Sequence, residues 1–437
     1  MKHPWCWVLI FCAYGQIAIA QRVPQVRETK SLDSPLPANF QAAQSVQESN
    51  ATRLLTIQEA VDFALANHPA MQEALAAIEE ARGLAYQAGL YPNPRLDSGN
   101  PQTIGGANSV YSLGVTQEIV RGGKRQLDVA AAQRSIARLQ YEYQQKKFFL
   151  ITEVRRGFVA ALAAQERVEI LESLAKIARE LEKTTDSLVK AGQASEADLL
   201  LLRLERRRAE TALTAANAEL SGKLSRLSAQ IGSIGYPIEK VAGELDMPIP
   251  NYEGLVFDDD LVNRNNLINA GRTEVQRSRL LLQRAIAEPI PNVTLQAGAQ
   301  QTASAPHEQG LVGVYFDLPI WNRNQGNIRA AESSVRRNVA QVAMIQTEIA
   351  KQIAETRSRY LSAARQVQSY EEGVLPDARE TLRLVRLGYD KGQFDIVRLV
   401  QAQRTVFEAN LEYLRVLELR LDAAAEISGL LQSDEFP

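Results

Sequence analysis

Residues 122–190 read GGKRQLDVAAAQRSIARLQYEYQQKKFFLITEVRRGFVAALAAQERVEILESLAKIARELEKTTDSLVK. The stretch contains no proline, and Gly157 is its only glycine after the opening pair. Apolar or small side chains recur along it at steps of three and four, the heptad spacing of helices that pack side by side. One helix of this length, at ~1.5 Å per residue, spans on the order of 100 Å. The stretch therefore predicts a rod, either a coiled-coil strut or one stave of a long tube.

A tight turn follows the predicted rod, and a second long helix returns along it. Gly192 suits the left-handed conformation that closes a helix, because glycine has no Cβ to clash there. Ser195 has the side chain of a helix N-cap, so a return helix is expected over residues 195–230. Together the two helices predict an antiparallel helical hairpin.

Before the rod, the periodicity changes from that of a helix to that of a strand. Thr56 begins a half-length helix, with Glu59 placed to complete a capping box and Pro69 placed to interrupt the helix. Residues 91–120 predict a β-hairpin with its turn at Gly105-Gly106. Apolar and polar side chains alternate along its second strand, which is typical of a strand with two unlike faces.

The whole pattern occurs twice, at a period of about two hundred residues, and this predicts an internal duplication. The first repeat covers 56–231, and a connector rich in glycine and proline covers 232–256. The second repeat, 257–431, is expected to contain a half-length helix, a hairpin at 290–320 (loop 303–309, second strand 310–320), a long helix at 324–390 kinked at Pro376, and a return helix at 394–430.

The N-terminus predicts export. Residues 1–20 have the short positive region, the apolar run and the Ala18-Ile19-Ala20 cleavage pattern of a signal peptide. Both cysteines of the chain, Cys6 and Cys12, fall inside it, so the mature protein is expected to contain no disulfide. Residues 21–55 are polar with scattered prolines and predict an extended arm.

Composition and motif content exclude several classes of function. A net charge of −2 provides no basic surface for nucleic acid. We find no arrangement of catalytic residues, so no enzyme and no cofactor is expected. The two histidines after the signal peptide, His68 and His307, have no ligand neighbour at helical or strand spacing, so no metal site is predicted. If metal ions pass through this protein, their selection is expected elsewhere.

The two hairpins favour a membrane protein built from several copies. Open strand edges are not tolerated in lipid, so four strands per chain must close with strands of other copies. Two copies would give a barrel of eight strands, and side chains fill the interior of a barrel of that size. Three copies would give a barrel of twelve strands, which leaves an open bore. The fold predicted is mainly α, with a small β part.

This organisation resembles the TolC-like outer-membrane efflux factors over essentially the whole mature chain. The opening helix 55–69 is similar to that of the family, and two segments resemble its heavy-metal, cobalt–zinc–cadmium branch: 117–125 (QEIVRGGKR) and 318–327 (LPIWNRNQGN). The resemblance implies a homotrimer with a twelve-stranded barrel in outer-membrane lipid and an α-helical barrel in the periplasm. Such a conduit would serve export of heavy-metal cations or drugs, through a periplasmic adaptor and an inner-membrane pump.

The resemblance also implies roles for individual residues at the two helical-hairpin tips. Gly192, Gln193, Gly392 and Gln393 fall where the family contacts its adaptor. At the periplasmic aperture, Asp198 and Tyr389 fall on the two members of a hydrogen-bonded link between the hairpins. This chain departs from the family nearby: Phe394 replaces a tip arginine, and Arg398 and Gln401 replace a ring of carboxylates.

Two alternatives from other classes remain at this point. A periplasmic adaptor would contain a single helical hairpin flanked by β-rich domains, whereas this chain contains two hairpins inside a duplication. A structural coiled-coil protein would contain heptads without alternating strands. Membrane fractionation would separate these two classes from an outer-membrane channel.

Overall fold

The structure is a computed structural model of the chain. It describes residues 54–99, 110–233, 238–255, 258–302, 304–433 and 436. The predicted signal peptide, nearly all of the predicted arm and the predicted Gly105-Gly106 turn lie outside these ranges. The described part includes the helices and strands of both predicted repeats.

Helices dominate the described chain. They are α1 (Ile57–Asn67), α2 (Pro69–Ala88), α3 (Lys124–Lys190), α4 (Glu196–Gln230), α5 (Asp259–Arg264), α6 (Asn266–Ala287), α7 (Gln325–Ser369), α8 (Leu375–Asp390) and α9 (Ile396–Leu431). The predicted rod is α3, a single helix of 67 residues. It begins at Lys124 rather than at residue 122, because Gly122 and Gly123 have left-handed backbones with φ of 69° and 67°.

Side-chain caps define where several helices begin. Thr56 and Glu59 form the predicted capping box at α1, and Ser195 forms one with Asp198 at α4. His68 caps α2, a role not foreseen from sequence: its Nδ1 accepts a hydrogen bond from the backbone N–H two residues on, at 3.1 Å. Each cap gives a partner to backbone N–H groups that the helix itself leaves unpaired.

The second long helix is interrupted where the sequence predicts a kink. α7 ends at Ser369, a π-helical segment covers Tyr370–Val374, and α8 follows with Pro376 in its first turn. Proline has no N–H to donate to the preceding turn, and π-helical segments insert an extra residue into the hydrogen-bond ladder. The rod of the second repeat is therefore three consecutive elements rather than one.

Four antiparallel strands form a single sheet in the order of the chain: β1 (Arg95–Gly99), β2 (Val110–Ile119), β3 (Val293–Thr302) and β4 (Ala305–Tyr315). The two hairpins lie side by side, because β2 pairs with β3 along its whole length, from Val110 opposite Thr302 to Ile119 opposite Val293. Among the described strands, none pairs with the outer edge of β1 or of β4.

The second hairpin differs from the prediction at both ends of its last strand. Residues 305–309 belong to β4, so the predicted loop 303–309 is wrong. The predicted strand 310–320 ends at Tyr315, which pairs with Thr294 beside the start of β3. Val293 is the only residue of β3 that lies beyond Thr294, and Pro319 cannot donate to a ladder. Three apolar side chains beyond β4 are exposed as a result: Phe316 (55%), Leu318 (68%) and Ile320 (55%).

The duplication is visible in equivalent contacts of the two halves. Near the ends of α4 and α9, a serine hydroxyl donates to a carbonyl five residues on: Ser228 to Ser233 at 2.7 Å, and Ser428 to Ser433 at 2.9 Å. In both halves the same bond holds the chain as it leaves the return helix. The two halves therefore share geometry as well as pattern.

The strands are equivalent at a constant shift of 199 positions. Arg95 pairs with Thr116 in the first hairpin, and Thr294 pairs with Tyr315 in the second. Residue 95 corresponds to 294 and residue 116 to 315, so both hairpins have one register. The shift also brings Gly114-Val115 onto Gly313-Val314 in the sequence.

The apolar core lies where α1, α3, α4 and α9 meet, midway along α3. Phe158 and Leu162 of α3, Leu227 of α4 and Leu421 of α9 are each at most 1% exposed. Large apolar side chains buried to this degree contribute ~1.5–3 kcal/mol each relative to exposure. This core fixes the helices from which the sheet and the two helical tips extend.

Gly298 provides a test of the contact between the two hairpins. A Cβ on Gly298 would overlap the Leu113 carbonyl oxygen and lie 2.6 Å from the Gly114 Cα. Both are backbone atoms that cannot rotate away. We expect Gly298→Ala to separate β2 from β3 and to lower the melting temperature of the purified protein. Gly310→Ala is the control, because a Cβ there meets nothing within 4 Å; equal melting temperatures for the two variants would contradict the expectation.

Candidate functional site

The sheet exposes its apolar face. Paired residues of an antiparallel sheet share a face, so Leu113 and Val115 of β2 lie on one face with Ala297 and Ala299 of β3. Side chains on this face are largely exposed in the single chain: Leu96 (71%), Tyr111 (59%), Leu113 (55%), Val115 (46%), Leu295 (43%), Val312 (83%) and Val314 (57%). A soluble protein would bury such a face, and here no described element covers it.

The opposite face is polar and rich in glycine. Thr116 Oγ1 donates to Asp97 Oδ2 at 2.8 Å across β1 and β2, and Tyr315 Oη donates to Gln296 Oε1 at 2.7 Å across β3 and β4. Gly114, Gly298 and Gly313 lie on the same face. The sheet therefore combines an apolar exposed face with a polar second face.

Lys124 joins the sheet to the helices. It is the first residue of α3, its side chain is only 4% exposed, and its Nζ lies 3.2 Å from Asn292 Oδ1 and 3.8 Å from Glu288 Oε2. Asn292 in turn donates to Glu118 at 2.6 Å. A buried ammonium is costly unless it is paired, so this cluster ties the end of the first hairpin to the start of the second.

The two helical tips have the same backbone. Gly192 and Gly392 have φ of 73° and 70°, and the N–H groups of Gln193 and Gln393 each donate to a carbonyl five residues back at 2.8 Å. This is the Schellman closure of a helix, which needs a left-handed residue at that position. All four residues are exposed, and a Cβ on either glycine would meet nothing within 4 Å. The predicted contact residues are therefore accessible at the two turns.

The tips differ in how side chains fill the space behind the turn. At the second tip the Phe394 ring packs against Gly388, where a Cβ would overlap the ring. The equivalent residues of the first tip are Leu188 and Ala194. The large side chain is therefore at the first of the two positions in the first tip and at the second position in the second tip. The Arg398 guanidinium stacks on Phe394, 4.5 Å from the ring centre. Phe394 and Arg398 thus form one packed unit that the first tip does not have.

The structure does not bring Asp198 and Tyr389 into a hydrogen bond within the described chain. Asp198 Oδ2 accepts from Ser195 Oγ at 2.8 Å and from the Ser195 N–H at 3.3 Å, as part of the cap of α4. Tyr389 is half-buried in a small apolar cluster centred on Leu202. Arg398 and Gln401 are exposed on α9. Asp198 therefore has a local structural role that its sequence position did not indicate.

A different pair of charged side chains links the two helical hairpins. The carboxylate of Glu205 on α4 accepts a hydrogen bond from Arg404 on α9 and a second from Arg208 at 3.0 Å. The bond to Glu205 raises the pKa of the Arg404 guanidinium. These residues lie at the edge of a cavity of about 340 Å³ between the hairpins, lined by Leu174, Leu181, Val400 and Phe407 among others. Spacing within either hairpin does not show this pairing, because it depends on how the hairpins pack.

None of the helices that the structure describes combines the length and apolar composition needed to cross a membrane. Among the described residues, no three His, Cys, Asp or Glu side chains come together as ligands for a metal ion.

The geometry defines a class of protein: a duplicated chain of long helices attached to a sheet with one exposed apolar face. The model of the outer membrane efflux protein family matches residues 60–233 and 259–432, and the chain belongs to this family. The two matched segments differ by 199 at both bounds, the shift found in the sheet. Membership decides against the two alternatives, a periplasmic adaptor and a structural coiled-coil protein.

Individual relatives show which members of the family this chain resembles. The chain is 28% identical to the cobalt-zinc-cadmium resistance protein CzcC of Cupriavidus metallidurans, over 91% of this chain and 96% of that protein. It is 26% identical to the nickel and cobalt resistance protein CnrC of the same organism, over 66% and 70%. Among solved structures, CusC superposes with a TM-score of 0.73 at 17% identity, over 86% of this chain and 91% of that one. The resemblance to the outer-membrane efflux factors is confirmed.

The cap on α4 gives a test of the role of Asp198. Asp198→Ala removes the acceptor for the Ser195 hydroxyl and N–H, and losing a cap interaction costs ~0.5–2 kcal/mol. We expect faster amide exchange in the first turn of α4, measured by hydrogen–deuterium exchange. Asp198→Asn keeps one side-chain acceptor and should preserve most of the protection. Unchanged exchange in the alanine variant would show that the cap does not hold this turn.

Proposed function

We propose that three copies of this chain form a passive conduit through the outer membrane. Each copy would contribute its four strands to one twelve-stranded barrel, with the apolar face toward lipid and the polar face toward the bore. The observation that carries this proposal is the exposed apolar face of a sheet with two open edges. In lipid every backbone polar group needs a partner, and closure across copies provides one.

The helices would continue the conduit into the periplasm. α3, at ~1.5 Å per residue, extends on the order of 100 Å, far more than a bilayer is thick. The tips at Gly192 and Gly392 would therefore lie well away from the sheet, where a periplasmic adaptor and an inner-membrane pump could reach them. Around those tips Asp198, Tyr389, Arg398 and Gln401 would surround the aperture, and the Glu205–Arg404 pair would hold the hairpins together.

The cargo we infer is heavy-metal cations, by analogy with relatives named for cobalt, zinc, cadmium and nickel resistance. Arg398 and Gln401 would leave the aperture without the carboxylate ring of the wider family. Selection among cations would then rest with the pump and the adaptor rather than with this chain.

Assembly is the direct test of the proposed conduit. We expect the protein to fractionate with the outer membrane and to have the mass of three chains when extracted in detergent, since closure of the sheet requires other copies. Mass measurement by light scattering or native mass spectrometry decides this. A stable monomer, or a protein released in the soluble fraction, would contradict the proposal.

The tips give a test of adaptor contact. Gln393→Trp adds a large side chain beside the turn. Gln393 does not have a left-handed backbone, so we expect the turn at Gly392 that ends α8 to be preserved. We expect the variant to form normal complexes in the membrane and to lose efflux, measured as the metal tolerance of cells that depend on this protein. Gly392→Asn is the control, because asparagine tolerates the left-handed conformation and adds little volume. Full efflux by Gln393→Trp at normal expression would place the contact elsewhere.

A further inference from the structure

The sheet ends in two edges that match each other. One edge is formed by β1, which begins directly after Pro94. The other edge is formed by β4, which ends at Tyr315. Near these edges lie exposed groups of complementary chemistry. Leu96 and Phe316 are 71% and 55% exposed, and the Arg95 side chain is 82% exposed. These features raise the question of what covers the two edges and in which register.

The duplication supplies the register. Within one chain, β2 of the first half pairs with β3 of the second half, with Gln117 opposite Leu295 and Glu118 opposite Thr294. The equivalents of β2 and β3 at the shift of 199 are β4 and β1. If the contact inside the chain is repeated between chains, β4 of one copy meets β1 of the next.

We propose that β4 of one copy pairs antiparallel with β1 of a second copy in this transferred register. In the chain, Gln117 lies opposite Leu295. The position equivalent to Gln117 in the second half is Phe316, and the position equivalent to Leu295 in the first half is Leu96, so Phe316 of one copy lies opposite Leu96 of the second copy. The same equivalence places Asp317 opposite Arg95. The inference rests on the proposed function, because it specifies the contact by which the barrel closes.

Chemistry supports both pairs. Leu96 belongs to the apolar face, with Val115 as its partner in the first hairpin, and Phe316 continues the alternation of Val312 and Val314 toward the same face. Opposite charges directly across two strands are favourable. In the single chain, Arg95 has only a loose 3.7 Å pairing with Asp97, and the described residues form no salt bridge with Asp317.

Neighbouring registers are worse. A slip of one residue would move the whole apolar set of β4 to the polar face. A slip of two residues in one direction would set Asp317 opposite Asp97, and like charges directly opposite are destabilising. A slip of two in the other direction would leave Arg95 without Asp317. The transferred register is therefore the one in which charge and face agree.

Disulfide trapping tests the register. Both cysteines of the chain fall in the predicted signal peptide, so Leu96→Cys with Phe316→Cys introduces the only pair expected in the mature protein. Within one chain β1 and β4 are separated by two strands, or about 14 Å, well beyond the Cβ separation of ~3.5–4.5 Å in a disulfide. We expect mild oxidation to give covalent trimers on a non-reducing gel.

The control is Leu96→Cys with Val314→Cys, which lies on the same face but two positions out of register. Its Cβ atoms would be ~7–8 Å apart, so we expect loss of the covalent trimer. Stronger trapping in this control, or none in either variant while the detergent complex has the mass of a trimer, would overturn the register and leave the proposed function standing. A monomer in detergent would overturn both.

Charge exchange gives a second measurement that needs no cysteine. Arg95→Asp places two carboxylates opposite each other and should lower the temperature at which the complex dissociates in detergent. Adding Asp317→Arg restores opposite charges and should recover the loss. A double variant no more stable than Arg95→Asp alone would overturn the Asp317–Arg95 pairing.

Discussion

Backbone hydrogen bonding at the edges of one small sheet is the constraint on which the rest of this structure depends. Four strands pair with one another in chain order, and two edges are left over. The sheet cannot hide them by curling on itself, since four strands are too few to close a barrel. Nor can it bury its apolar face, because the helices extend from its end. Other copies of the chain are the partners that we propose for these edges.

Duplication is the means by which one chain meets that constraint. Each half supplies one hairpin and one pair of long helices, and the halves are related by a constant shift of 199 in the strands. In the proposed register, the contact between β2 and β3 inside the chain is repeated between copies. Lys124 and Asn292 secure it at the end nearest the helices, and the close approach at Gly298 secures it within the sheet.

Local chemistry made much of this predictable from sequence. Thr56, Ser195 and Gly192 act through atoms a few residues away, so caps and turns could be read directly. The end of β4 at Tyr315 could not, because alternation continues to Ile320, whereas the pairing with β3 ends at Thr294, one residue from the start of β3. The predicted Asp198–Tyr389 hydrogen bond is not formed within the described chain, where Asp198 instead caps α4. A neighbouring serine engages the carboxylate first, and the packing of two distant hairpins decides which charges meet.

The two tips place their large side chain at different positions, and this limits which substitutions one tip can take from the other. Leucine and alanine at 188 and 194 correspond to Gly388 and Phe394, and a Cβ on Gly388 would strike the Phe394 ring. Gene conversion that copied only the leucine of the first repeat into position 388 would put two large side chains in one space. Copying only the alanine into position 394 would leave a void and remove the stacking surface of Arg398. Copying a single codon between the two halves at either of these positions would therefore disturb the packing behind the second tip.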